Sequence, residues 1–216
     1  MTILRGVTEP RAIVRGAIVR GGGAAPPAPT YATWNPLDRY TPDADPTLGV
    51  PTLSTDLLTA SYGGGWFAVR ATVGKPTGHW YAETIVDTAG IGFLFGIASL
   101  ASPLTYQGDG GAIGWGIGHS GGTGYTMSPG SATPNAFPII TGDRIGIELN
   151  WDANQLICTR IRSGPTVVTV ATLDISSAVG ISMFPMLSLF DAAGTTDFGS
   201  TTFFAPLPSG ASGFTV

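Results

Sequence analysis

Few side chains in this 216-residue sequence have the type and spacing to do covalent chemistry. The two histidines, His79 and His119, lie far apart, and neither has a Cys, His or carboxylate at metal-ligand spacing. No metal and no cofactor is therefore expected. Ser120 follows His119 but lacks the strand-to-helix elbow of a hydrolase nucleophile. The string Gly114-Trp115-Gly116-Ile117-Gly118 has the glycines of a phosphate-binding turn, yet no helical segment follows it. An acid–base pair for glycoside cleavage would have to come from Glu83, Asp87, Asp109, Glu148 or Asp152. Glu83 and Glu148 fall on expected strands and would approach each other across a sheet face; the ordinary reading makes both solvent-facing strand positions. Aromatic and polar residues in expected loops are the better signal, because Tyr and Trp offer large rigid contact surfaces at low entropic cost. Trp66, Tyr106, Gln107, Asp109, His119 and Tyr125 are the candidate ligand contacts, with Trp66, Tyr106 and Tyr125 equally readable as core. What these residues offer is recognition rather than bond cleavage, so no catalytic residue is assigned.

The elements that would position them are strands. In residues 142–154, Ile145, Ile147 and Leu149 alternate with Gly146 and Glu148 between a Gly142-Asp143 turn and an Asp152-Ala153-Asn154 turn, which predicts a half-buried strand entering a hairpin. The return strand is expected over 156–161. Further strands are expected over 52–59, 66–73, 79–86, 91–98, 112–117, 166–173, 184–190 and 198–205. Turns are expected at Asn35-Pro36 and Thr41-Pro42-Asp43. Residues 99–111 and 118–135 read as two long exposed loops and 191–197 as a shorter one. No sustained helical period occurs, so the chain is expected to be all-β.

Composition adds a second division. Residues 1–20 carry Arg5, Arg11, Arg15 and Arg20 against Glu9 alone, a charge of +3, whereas the remainder carries six basic and thirteen acidic residues, a charge of −7. Within the basic stretch, Ile13-Val14 and Ile18-Val19 repeat between Arg11, Arg15 and Arg20, a strand-forming pattern too short to build a core. Three readings stay open: docking by strand addition, a solvated tail, or a nucleic-acid arm. The last is disfavoured because no aromatic residue accompanies the arginines. Residues 1–23 are thus expected to be an anchoring arm, 24–33 a Pro/Gly/Ala-rich linker and 34–216 the folded body. Charged residues are only 11%, which suggests a surface partly covered by neighbours and a homo-oligomeric or multi-copy assembly. Cys158, the one cysteine, excludes an internal disulfide and is expected to be buried and inert. No apolar run has bilayer-spanning length and no cleavable leader is evident, so synthesis in a cytoplasm without membrane insertion is expected.

Six strings in order carry a family resemblance: Gly78-His79-Trp80-Tyr81-Ala82-Glu83, Phe95-Gly96-Ile97-Ala98, Gly114-Trp115-Gly116, Gly142-Asp143-Arg144-Ile145-Gly146-Ile147, Phe184-Pro185-Met186-Leu187-Ser188-Leu189 and Asp197-Phe198-Gly199, with Phe203 and Pro206 behind. From about Trp34 to Pro208 the chain resembles a SPRY (B30.2-type) domain. The resemblance implies a bent sandwich of two antiparallel sheets, related to the concanavalin-like jelly roll, that binds a protein or glycan through loops at one edge. The opening Thr33-Trp34-Asn35-Pro36-Leu37-Asp38 and the run Val69-Arg70-Ala71-Thr72-Val73-Gly74-Lys75 resemble SPRY-like proteins of tailed bacteriophages. The expectation is a non-enzymatic virion protein held to other virion proteins by its arm. Tail or fibre association with binding to host glycan or protein is favoured; alternatives are capsid decoration, a glycan-active jelly-roll enzyme or a cellular peptide-binding adaptor. After Asn154 the chain departs from the cellular pattern, with Cys158-Thr159-Arg160-Ile161-Arg162-Ser163-Gly164 replacing an aromatic-lysine-asparagine-glycine hairpin.

Overall fold

The computed structural model describes residues 31–39, 49–102, 104, 114–162 and 166–216. Its strands are β1 (Trp34–Arg39), β2 (Thr52–Leu53), β3 (Thr59–Tyr62), β4 (Phe67–Ala71), β5 (His79–Thr88), β6 (Gly92–Ala98), β7 (Trp115–Ser120), β8 (Thr123–Ser128), β9 (Ser131–Asn135), β10 (Arg144–Asn150), β11 (Gln155–Ile161), β12 (Val167–Asp174), β13 (Phe184–Phe190), β14 (Ala192–Asp197) and β15 (Ser212–Gly213). A one-turn 3₁₀ helix, Ser176–Ala178, is the only helical element among the described residues.

The strands form two layers. A seven-stranded antiparallel sheet runs β1-β4-β13-β6-β7-β8-β9, and an eight-stranded sheet runs β12-β11-β10-β5-β14-β3-β2, with β15 added in parallel to the start of β5. The alternation in β10 has the consequence expected of it: Ile145, Ile147 and Leu149 are fully buried between the layers, and Glu148 and Arg144 stand on the outer side. Phe93, Phe95, Ile97 and Ile117 meet them from the other sheet, with Trp34, Phe198 and Phe214 closing the core. Each such side chain contributes about 1.5–3 kcal/mol by leaving water. β6 is buried at every position because its other side, through Leu94 and Ala98, packs with Ala68, Met127 and Met186 in a second cluster on the outer face of its sheet.

Several expected segments differ. Residues 191–197 were expected as a loop, but β14 is an interior strand between β5 and β3. Its small residues hide the strand signal and exist for packing: a Cβ on Gly194 would lie 2.8 Å from the Phe93 ring. Residues 198–205, expected as the closing strand, are irregular; Phe198 fills the core and Asp197 organises the turn by accepting the backbone N–H groups of Gly199 (2.8 Å) and Ser200 (2.9 Å). The loop expected over 118–135 is instead the end of β7 and the β8–β9 ladder, in which Met127 and Tyr125 supply the apolar side. Asn35-Pro36 lies within β1, where the pairing with β4 is broken between Trp34 and Arg39, as an edge strand permits. The strand expected over 52–59 is split into β2 and β3 by a turn in which Asp56 accepts from Ser54 Oγ. Residues 31–33, placed in the expected linker, belong to the body: Tyr31 bridges Thr215, and Ala32 and Thr33 are buried. Residues 1–30 lie outside the described residues.

Candidate functional site

A single charged residue interrupts the apolar run of β4, and it organises one end of the molecule. Phe67, Val69 and Ala71 face the core, so Arg70 emerges on the outer face of its sheet, where it is 4% exposed. A buried guanidinium needs acceptors for its donors. Nε and Nη2 each donate to Asp38 at 2.8 Å, a bidentate pair with β1. Nη1 donates to the carbonyls of Ser99 (2.9 Å) and Ser102, and the Ala68 N–H donates to the carbonyl of Leu104 at 3.0 Å. The chain leaving β6 is thereby laid across the sheet; the described start of the expected exposed loop is pinned rather than free.

Behind this pinned segment opens a cleft of about 230 Å³. The start of β7, the β8–β9 turn and the chain around the 3₁₀ helix form its other walls. Trp115 and Met183, both buried, line it, and Ile181 stands on its rim at 46% exposure. Leu100 (63%) and Val179 (61%) neighbour lining residues on the two sides of the mouth. None of the lining side chains among the described residues titrates. The described walls thus suit an apolar group of a partner, and Ser99, Ser102 and Ser177 have no base among the described lining residues.

Of the expected contact residues that are described, Trp66 and Tyr125 pack on one outer cluster and His119 lies apart from them in the core. Tyr106, Gln107 and Asp109 belong to the segment whose two ends border this cleft, but they lie outside the described residues, as do Arg5, Arg11, Ile13, Val14, Arg15, Ile18, Val19 and Arg20 of the arm. Trp66 is half-buried toward the opposite end: its ring stands edge-on to Phe190 at 5.8 Å and so close over Gly92 that a Cβ there would lie 2.1 Å away. Tyr125 is also half-buried, and both rings pack on the outer cluster around Leu94 and Met186. His119 requires correction. It lies in β7, not in a loop, on the side that faces the core with Trp115 and Ile117, and is 2% exposed. A ligand would reach it only by opening the sandwich. Burial lowers the pKa of its ring, against smaller opposing contributions from the Gly90 backbone and Asp143, and Nδ1 has no partner among the described residues. At the end that Trp66 approaches, a wider basin of about 580 Å³ lies beside Tyr62 and Asp191. Asp191 there adopts a left-handed φ of 51° and accepts the Gly64 N–H at 2.6 Å, fixing the β13–β14 corner.

Glu83 and Glu148 do share the outer face of the eight-stranded sheet, on the adjacent strands β5 and β10. Glu83 is not solvent-facing: it is 2% exposed and accepts four donors, Arg144 Nη1 (3.2 Å), Tyr81 OH (3.3 Å) and the backbone N–H groups of Phe204 (3.2 Å) and Ala205 (3.1 Å). Glu148 is held by His79 Nε2 at 2.7 Å. Tyr81, between them, has its pKa raised by burial and then by the Glu83 charge, so its hydroxyl remains a donor. Glu83 thus clamps the sheet to its 203–205 cover, and Glu148 ties β10 to the start of β5 through His79. Cys158 is fully buried, and burial pushes its thiol up to about 12.

Sequence reasoning passed over Arg70, Leu100, Val179 and Ile181. A lone arginine inside Phe67-Ala68-Val69-Arg70-Ala71, and large aliphatic residues inside otherwise small-residue connections, were the available signals.

No family model matches the sequence, and no curated protein matches it. Solved structures do match in fold. The TRIM65 PSpry domain aligns with a TM-score of 0.59 at 16% identity, over 77% of this chain and 90% of that one. The SPRY domain of human HERC1 aligns at 0.56 and 11% identity, over 78% and 99%. Stonustoxin aligns at 0.53 and 16%, over 68% of this chain and 26% of its own. At these identities the likeness establishes a SPRY-like jelly-roll fold.

Proposed function

We propose that this SPRY-like sandwich is a non-enzymatic protein-interaction module whose end cleft receives an apolar side chain of a partner. The observation that carries the reading is the cleft itself, walled by a segment fixed on Arg70, with exposed aliphatic residues beside it and no titratable group lining it among the described residues. The finer proposal is a structural protein of a bacteriophage virion. Residues 1–23 anchor it to other virion proteins, and the body is displayed on a tail or fibre to meet a host-surface protein or glycan. Support for that step is the segregation of a basic, strand-forming arm from an acidic body and the resemblance of residues 33–38 and 69–75 to phage SPRY-like proteins. Antibody raised against the body should label purified particles of the phage that encodes the sequence at regular positions; unlabelled particles sink the virion reading. Ile181→Asp should leave the fold intact and abolish partner binding, and retained binding sinks the cleft.

A further inference from the structure

Among the described residues the two sheets have four edges, and three of them are blunted. β9 carries Pro134, β2 is two residues long, and β1 carries Pro36 and breaks its own pairing. The fourth, β12, has eight residues, Val-Val-Thr-Val-Ala-Thr-Leu-Asp, with no proline, no basic residue and a charge only at its last position, Asp174. No described residue pairs with its outer side. Val167 and Val168 are 41% and 37% exposed. One bulge, where the register with β11 shifts between Cys158 and Thr159, divides it into 167–169 and 171–174. An uncharged, β-branched edge of this length is a template for an added strand.

The same sequence contains a β-branched, strand-forming pattern with no acceptor assigned. Residues 11–20 read as two apolar triplets, Ala12-Ile13-Val14 and Ala17-Ile18-Val19, separated by Arg15-Gly16, a length comparable to that of β12. The arm is basic and the remainder of the chain acidic, which favours their association. Register decides between an arm's own body and another copy. The chain enters the body at Tyr31, bridged to Thr215 near the start of β5, and the pairings His79 with Asn150, Asn150 with Gln155 and Gln155 with Asp174 put that entry at the Asp174 end of β12. From there the chain's own arm reaches β12 easily only in the parallel sense. Antiparallel addition, the geometry of every other multi-residue pairing in this sheet except β15, requires crossing about five strand spacings, from β15 over β5, β10, β11 and β12 to the added strand, and the length of β12, a diagonal of ~35 Å. Residues 21–30, with Pro26, Pro27 and Pro29, span at most ~36 Å when fully extended, which leaves no slack.

We propose that residues 11–20 of one copy add as an antiparallel strand to β12 of a neighbouring copy, joining copies through the arm. The proposal rests on reading the arm as the assembly element and names its acceptor. Because the native Cys158 is fully buried, single engineered cysteines report the contact. Chains carrying Val14→Cys are mixed with separate chains carrying Val168→Cys, Thr169→Cys or Thr172→Cys, oxidised and run on non-reducing gels. A disulfide-joined pair for at least one position, and none with Thr123→Cys on the other sheet, is the expected result. Failure at all three positions, or bridging only when both cysteines are in one chain, overturns it. Light scattering should show a mass of two or more copies that falls to one for the Val168→Lys, Thr169→Lys double variant with an unchanged circular-dichroism melt; an unaffected mass overturns the acceptor. If cross-links fail while a chain lacking residues 1–23 is still excluded from particles, this acceptor is refuted and the virion reading stands. Cross-links in the absence of particle labelling refute the virion reading and leave the acceptor standing.

Discussion

The outer faces of the two sheets carry the same device with opposite sign. On the seven-stranded sheet a buried cation, Arg70, gathers one carboxylate, Asp38, and two backbone carbonyls, at Ser99 and Ser102. On the eight-stranded sheet a buried anion, Glu83, gathers one guanidinium, Arg144, and two backbone N–H groups, at Phe204 and Ala205. Each fixes a stretch of chain that has no strand partner of its own. The two differ in where the fixed stretch lies. The one held by Arg70 borders an open cleft, whereas the one held by Glu83 closes over its sheet through Phe203 against Tyr81 and Phe204 beneath Arg144. One pin presents a surface and the other seals one, and a buried charge by itself is therefore no sign of catalysis in this fold.

The largest effect is expected at the presenting pin. Arg70→Met leaves the Asp38 carboxylate and two carbonyls without their donor and should cost about 3–5 kcal/mol in denaturant unfolding. It should also raise amide exchange near residue 104 and remove partner binding. Glu83→Gln comes next, at about 1–3 kcal/mol, because the amide still accepts and Arg144, with a third of its side chain exposed, can turn to water. Partner binding should survive it. A Glu83→Gln cost equal to that of Arg70→Met, or loss of binding in both variants, would erase the distinction between the two pins.

Tyr81→Phe removes one donor from Glu83 and should cost about 0.5–1.5 kcal/mol, measured by the same unfolding curves. Between the sheets, away from both pins, His119 supplies a pH dependence. Its folded pKa lies below the ordinary 6.5, so the unfolded chain takes up a proton first. Stability should fall as pH drops below 6.5, level off once the folded state also protonates, and lose this component in His119→Phe; an identical pH profile in the variant counts against the buried neutral ring. At the cleft rim, Ile181→Asp should change stability by no more than about 0.5 kcal/mol, since the residue is 46% exposed. A larger loss would make Ile181 part of the core and not of a presented surface.

Much of the sandwich was legible because alternation survives in the chain: β5, β6, β10, β11, β12 and β13 lie where their apolar and β-branched residues place them. β14 was missed because Ala192-Ala193-Gly194 is built to admit the Phe93 ring, a requirement set by the other sheet. The β8–β9 ladder was missed because Gly, Ser and Thr carry little apolar signal on an edge. Among candidate residues, His119 was misplaced for the same reason: its glycine neighbours resemble a loop, whereas in β7 those glycines occupy the positions opposite the core.

By itself the sequence determined that the chain is all-β, that its one thiol has no disulfide partner within the chain, and that a basic stretch with paired β-branched residues precedes an acidic remainder, because periodicity, cysteine count and charge are properties of a string. Only the tertiary structure decided that Arg70 and Glu83 are buried clamps and not surface charges, that a cleft opens beside residues 99–102, and that β12 is the unblunted edge among the described strands. Those facts depend on which strands become neighbours and which segments lie across them, and pairing across the chain leaves no mark in the local pattern of any one strand.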